Sequence, residues 1–409
     1  MEKVILDYSF SGVSWEGLER HLEEFLEKRS SLPFVQTLEE PWSEVIRGEL
    51  EGMEIENMVI AGIGGSSLGT EAVLRALLPF SYNSRGKRIF FFDNIDPERT
   101  HELMELLEPE KTAFIVVSKS GGTTETIINF LLLFDAAGRN KERFIIITDP
   151  EKGKLREMAD REGFISFPIP QSLGGRYSVL SSVGLVPLYL AGVDIDALIA
   201  GGMEGIELAS LEPRKNPALI SAYFLYHACE TGSPMQVILV YSEHLHPLGL
   251  WYRQLYSESL GKNGWGQTPV LDMGSVDQHS KLQLYLDGPD DKVYTFWKLK
   301  KARHDIEIPE NPYLETEFSG RSLAEIYSFM GDSTELALVQ EGRRTISFEI
   351  PEINERFLGQ FITLLESQVW YISSMKGINP FDQPAVERMK KLAMEMILGK
   401  RKKGERRTT

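Results

Sequence analysis

The sequence predicts an α/β protein of two tandem domains, each a parallel sheet flanked by helices. Short β-rich apolar runs alternate with helical periods in two separate series, the first beginning near Asn57 and the second near Gln236. Strands spaced in this way imply βαβ units. Two runs of the first series empty directly into loops of glycines and hydroxyls, at 62–69 and 118–126, the place where open α/β sheets bind ligands. With 409 residues the chain is long enough for two cores, since domains of about 100 to 200 residues are usual.

Ser14 precedes a helical period in Leu18, Leu22, Phe25 and Leu26 that ends near Ser30, which gives an amphipathic helix and an N-terminal helical arm over 1–45. The first domain follows over 46–212, with β-rich runs at 58–61, 89–92, 113–117 and 143–147. Two prolines and mixed charge at 211–217 interrupt the helical pattern and mark the boundary. The second domain, 213–409, carries runs at 236–241, 269–272, 292–297 and 345–349. Its last helix opens at Pro384, a good first helical residue, and runs to about Leu398, with Val386, Met389, Ala393, Met396 and Ile397 on one face. Lys390 lies at the edge of that stripe, where its stem can snorkel to solvent. The basic run at 400–407 reads as a solvated end.

The composition narrows the class. Apolar residues make up 42% and charged residues 25%, ordinary for a soluble globular protein. The longest apolar runs fall far short of the roughly 20 residues that a bilayer crossing needs, and acids interrupt the N-terminus before a secretory segment can form, so a cytoplasmic location and no membrane partner are expected. Cys229 is the only cysteine, which excludes an intrachain disulfide. A net charge of -16 opposes general nucleic-acid binding.

The most informative segment is the run 113–117 followed by Ser118, Lys119, Ser120, Gly121, Gly122, Thr123, Thr124, Glu125 and Thr126. Backbone N–H groups at a helix start, small residues and hydroxyls converge there on one point, and Lys119 adds a full charge, which suits a phosphate. An ordinary N-capped turn uses the same residue types. The glycine cluster 62–69 is also where a dinucleotide-binding turn would lie, with Asp93 placed to meet a ribose, but position 67 is serine rather than the third glycine.

On the helix predicted over 251–260, Glu258 shares a face with Trp251, Gln254 and Leu255. A carboxylate on an apolar face must find a cation or lose its charge, and either a structural pair or a proton-transferring base satisfies the pattern. Arg176 follows Gly174 and Gly175, as a surface loop arginine or as one held close enough to stabilise an oxyanion. His279 stands among polar residues, and His244 and His246 beside Glu243 have no third ligand at recognisable spacing.

Taken together, GIGGSSLG (62–69), SKSGGTTET (118–126), GGRYS (174–178), QLYSESLGK (254–262), Gln278-His279 and DQPAVERMK (382–390) resemble the phosphoglucose isomerase family, in its compact microbial form. The resemblance implies two tandem sugar isomerase (SIS) domains, a homodimer with active sites near its interface, and interconversion of glucose 6-phosphate and fructose 6-phosphate in glycolysis and gluconeogenesis without metal or redox cofactor. It implies that Ser118, Ser120, Thr123 and Thr126 hold the substrate phosphate with Lys119 nearby, and that Gly65, Ser66 and Gln254 approach the sugar. Glu258 matches the base that moves a proton between C1 and C2 through a cis-enediol, and Arg176 the residue that stabilises the enediolate. His279, entering from the neighbouring subunit, and Lys390 match the residues of ring opening. Ser67 stands where aspartate is frequent, and Pro384, Ala385, Arg388 and Met389 depart from the commoner last motif. A non-catalytic phosphosugar-binding SIS sensor and a nicotinamide-dependent oxidoreductase are the alternative readings.

Overall fold

The computed structural model describes residues 2–84, 86–314 and 316–400. Ten strands follow in chain order: β1 (Ile5–Asp7), β2 (Asn57–Ala61), β3 (Arg88–Phe92), β4 (Thr112–Ser118), β5 (Phe144–Thr148), β6 (Ile165–Pro168), β7 (Met235–Tyr241), β8 (Thr268–Met273), β9 (Lys292–Leu299) and β10 (Thr345–Ile350). They form two five-stranded sheets. The first has the order β3-β2-β4-β5-β6 and is parallel throughout. The second has the order β1-β10-β9-β7-β8, parallel except for β1, which lies antiparallel to β10 with Leu6 opposite Phe348. This is the α/β class expected from the sequence, with one antiparallel edge added.

Helices cover the sheet faces, so the central strands are buried on both sides and read as unbroken apolar runs. All seven residues of β4 are buried. One core cluster joins inward residues of both sheets, among them Ile60, Ile115, Trp297 and Phe348. Separate outer cores gather around Phe90, Phe114 and Phe144 and around Tyr241, Tyr294 and Phe296. Within the shared core runs the helix Glu355–Lys376, capped by the Asn354 side chain on the Phe357 N–H. It packs on the helix Ile195–Leu208 where glycines face each other: a Cβ on Gly359 would lie 2.0 Å from the Leu198 carbonyl oxygen, and one on Gly201 1.9 Å from that of Arg356.

The segment 1–45, expected as a helical arm, supplies the helix Glu19–Lys28 and also the edge strand β1. Phe25 of that helix packs on Trp370 and Tyr371, and the Val4 N–H donates to Gln360 at 2.6 Å. The second sheet is therefore built from both ends of the described chain. At the 212/213 junction a short turn, Pro213–Lys215, separates the helices Ile195–Leu208 and Pro217–Glu230. From Arg401 onward the basic run lies outside the described residues. Among the described residues no helix is long and apolar enough to cross a membrane.

Candidate active site

In the first sheet β2 lies between β3 and β4, so the connections leave it in opposite directions and a crevice opens at the carboxyl ends of β2 and β4. Both glycine loops emerge there. After β4 the chain turns at Gly121 and enters the helix Thr124–Ala136. Ser118 Oγ lies 3.0 Å from Thr123 Oγ1, Ser120 Oγ lies 3.4 Å from the same atom, and the Gly122 N–H donates to Ser120 Oγ. Thr126 is buried, and among the described residues its hydroxyl meets no partner. Hydroxyls gathered at a helix N-terminus, one without an internal partner, form a nest for an oxyanion. Burial lowers the Lys119 ammonium below its ordinary range; Asp149 opposes that shift, and Arg176 and Lys152 add to it.

Lys119 thus shares its field with Arg176, which lies on the turn Gly175–Tyr177. The loop after β2 presses on this turn: a Cβ on Gly65 would stand 2.2 Å from the Gly175 carbonyl carbon, so only glycine fits. Ser66 closes the short turn Gly64–Ser66 beside it, half-buried, while Asp93, the ribose candidate, is paired with Arg99 at 2.5 Å.

Arg176 is 2% exposed and every nitrogen of its guanidinium is engaged. Nε donates to Ser259 Oγ at 2.8 Å. Nη1 donates to Glu258 at 3.3 Å and to Gln383 at 2.9 Å. Nη2 donates to the carbonyls of Pro380 and Asp382. The Glu258 carboxylate, with its side chain 30% exposed, also accepts from Gln254 Nε2 at 3.0 Å. Trp251 and Leu255 are fully buried on the same helix, His246–Leu260, and the Trp251 indole donates to the Arg176 carbonyl. The carboxylate on an apolar face has found its cation, and it keeps an opening to solvent.

His279 and Lys390 are both exposed. His279 is exposed at the end of the turn Val276–His279 that follows β8, while its neighbour Gln278 is anchored on the Tyr241 hydroxyl and the Met330 carbonyl. Lys390 is exposed on the helix Pro384–Ile397, which starts beside Gln383, and Met389 and Ile397 of the expected apolar face are exposed too. Ser259, Tyr177 and Gln383 were not singled out from the sequence. The Tyr177 hydroxyl lies 3.0 Å from Ser259 Oγ, and burial pushes its phenol up to about 12. The only sequence signal for the three is that each lies within a segment of the resemblance.

Residues 34–277 match the family described as phosphoglucose isomerase. The chain is 40% identical over 351 residues to the probable glucose-6-phosphate isomerase of Methanococcus maripaludis, an alignment covering 84% of this chain and 79% of the relative. The chain belongs to the phosphoglucose isomerase family. A further member, the glucose-6-phosphate isomerase of Methanocaldococcus jannaschii, is 38% identical over 84% of each chain. Among solved structures, a hypothetical protein from Thermus thermophilus superposes with a TM-score of 0.88 at 34% identity, covering 96% of this chain and 99% of that one. The glucose-6-phosphate isomerase from Chlamydia trachomatis gives 0.75 at 25% identity, covering 95% of this chain and 75% of that one. Membership gives the phosphate-type loop and the Arg176–Glu258 pair a common context in phosphosugar isomerisation.

Proposed function

We infer that the protein interconverts glucose 6-phosphate and fructose 6-phosphate. The observation that carries this reading is the Glu258 carboxylate, which is held by Arg176 and Gln254 beside an oxyanion nest yet open to solvent. An aldose-ketose shift needs a base, positive potential where enediolate charge develops, and an anchor for the non-reacting end. In the open-chain aldose, Glu258 takes the C2 proton, the C1=O bond becomes an enediolate, and Arg176 meets the growing charge on oxygen. Transfer of the O2 proton to O1 and return of the proton from Glu258 to C1 re-form the carbonyl at C2 and give the ketose. Ser118, Ser120, Thr123 and Thr126, with Lys119, bind the phosphate, and Gly65, Ser66 and Gln254 bound the sugar.

Ring opening is assigned to His279 and Lys390. His279 is exposed, and its part is played from a second copy in a homodimer. We place the enzyme in the cytoplasm. A sensor that only binds a phosphosugar gains nothing from a carboxylate beside the arginine, which disfavours that alternative. In a coupled assay, Glu258→Gln lowers turnover by roughly 10²- to 10⁴-fold, the usual range for a lost general base. An unchanged rate removes Glu258 from this role, and no turnover by well-folded parent protein removes the isomerase reading.

A further inference from the structure

The second sheet has a switch point of its own. β7 lies between β8 and β9 as β2 lies between β3 and β4, so a second crevice opens at the carboxyl ends of β7 and β9. A cavity of about 940 Å³ occupies that position, between the strand ends (Tyr241, Ser242, Lys298, Leu299) and the end of the first domain's helix Leu68–Leu77. Cavities of this size at a domain junction hold small molecules.

The chemistry differs from that of the first crevice. β7 leads into Ser242, Glu243 and His244, which puts a carboxylate where β2 presents glycines, so a sugar phosphate bound in the same manner is excluded. Two large rings line the cavity while still exposed: Phe80, 71% exposed, stacks on His244 with centroids 4.4 Å apart, and Phe329 is 53% exposed. Apolar rings left open at a concave site are a signature of ligand contact. The turn after β9 brings Lys300, Arg303 and His304 into the lining. Lys298 is already neutralised by Asp332 and Glu335. Among the described residues Lys300 has one long pair, with Glu2 at 3.8 Å. Arg303 donates to the carbonyls of Ala76 and Leu77, bonds that fix the turn on the first domain without cancelling its charge.

We propose that this cavity is a second ligand site, for a planar aromatic or heteroaromatic anion of nucleoside-monophosphate size, its ring against Phe80 and Phe329 and its anionic group toward Lys300 and Arg303. The test is calorimetric titration of the full chain with AMP while fructose 6-phosphate saturates the first crevice. Binding under saturation, with adenosine and the variants Phe80→Ala and Lys300→Glu each weakening it about tenfold and isomerase turnover without AMP unchanged, supports the site. No heat at millimolar AMP, heat abolished by fructose 6-phosphate, equal affinity for adenosine, or variants that bind as the parent does each overturn it. So does a crystal structure in which residues of a second copy fill the cavity.

Discussion

Ser259 is buried on the inner side of the helix that carries Glu258, and its hydroxyl receives the Arg176 Nε–H while contacting the Tyr177 phenol. An arginine that stabilises an enediolate works only if it is aimed; Nη1 of Arg176 faces Glu258 and Ser259 holds its Nε. Hydrogen bonds to charged groups contribute about 1.5 to 3 kcal/mol. Ser259→Ala therefore lowers kcat about 10- to 100-fold with little change in KM, and Ser259→Thr, which keeps the hydroxyl, restores most of it. Equal kcat for the alanine variant and the parent rejects the positioning role. At this scale the sequence was informative about Glu258, because a carboxylate at three, four and seven residues from apolar or amide neighbours is conspicuous on a helix. It was silent on Ser259, because a serine buried in a helix looks like filler until an arginine 83 positions away in the chain is brought against it.

The loops work as a pair of elements pressed together, and their tolerances are small. On Gly65→Ala the new Cβ would stand 2.2 Å from the Gly175 carbon, so the turns Gly64–Ser66 and Gly175–Tyr177 must part and carry Arg176 away from Glu258. Turnover should collapse while the far-ultraviolet circular dichroism stays that of the parent; a variant with parental kcat shows that the contact is dispensable. Thr126→Val tests the other loop. Its hydroxyl has no partner among the described residues, so an isosteric valine removes an unpartnered buried group and leaves melting temperature equal or higher. The KM for the sugar phosphate should rise about fivefold to tenfold, as for one lost hydrogen bond. Parental KM removes Thr126 from phosphate binding. Element recognition from the sequence failed where local signals are weak. β1 is three residues long and β6 four, ending on Pro168, and such strands exist through pairing with a neighbour rather than through their own pattern. The helix predicted over 251–260 begins at His246 instead, because Pro247 sits in its first turn, where a proline is tolerated.

For the whole molecule the decisive element is the helix Glu355–Lys376, which is buried and is touched by the N-terminal segment through Val4 and Phe25 and by the second sheet through Trp297 and Phe348. Nothing in the sequence announced this, since assembly of distant segments leaves no local period. On this helix Glu366 is 1% exposed, its Oε1 meets no partner among the described residues, and burial holds its carboxyl well above the ordinary value of 4.5. A raised folded pKa means that the native state keeps a proton which the unfolded chain releases. Its stabilising effect is complete below 4.5 and is lost as the pH climbs from there to the folded value, at about 1.4 kcal/mol per pH unit. Glu366→Gln presents a neutral amide at every pH and escapes the loss. Urea unfolding at a series of pH values above 4.5 should therefore show the variant gaining on the parent as pH rises, by that slope. Parallel stability curves for the two proteins mean that Glu366 ionises in the fold, and that the interior around this helix admits water or a counter-charge to receive it.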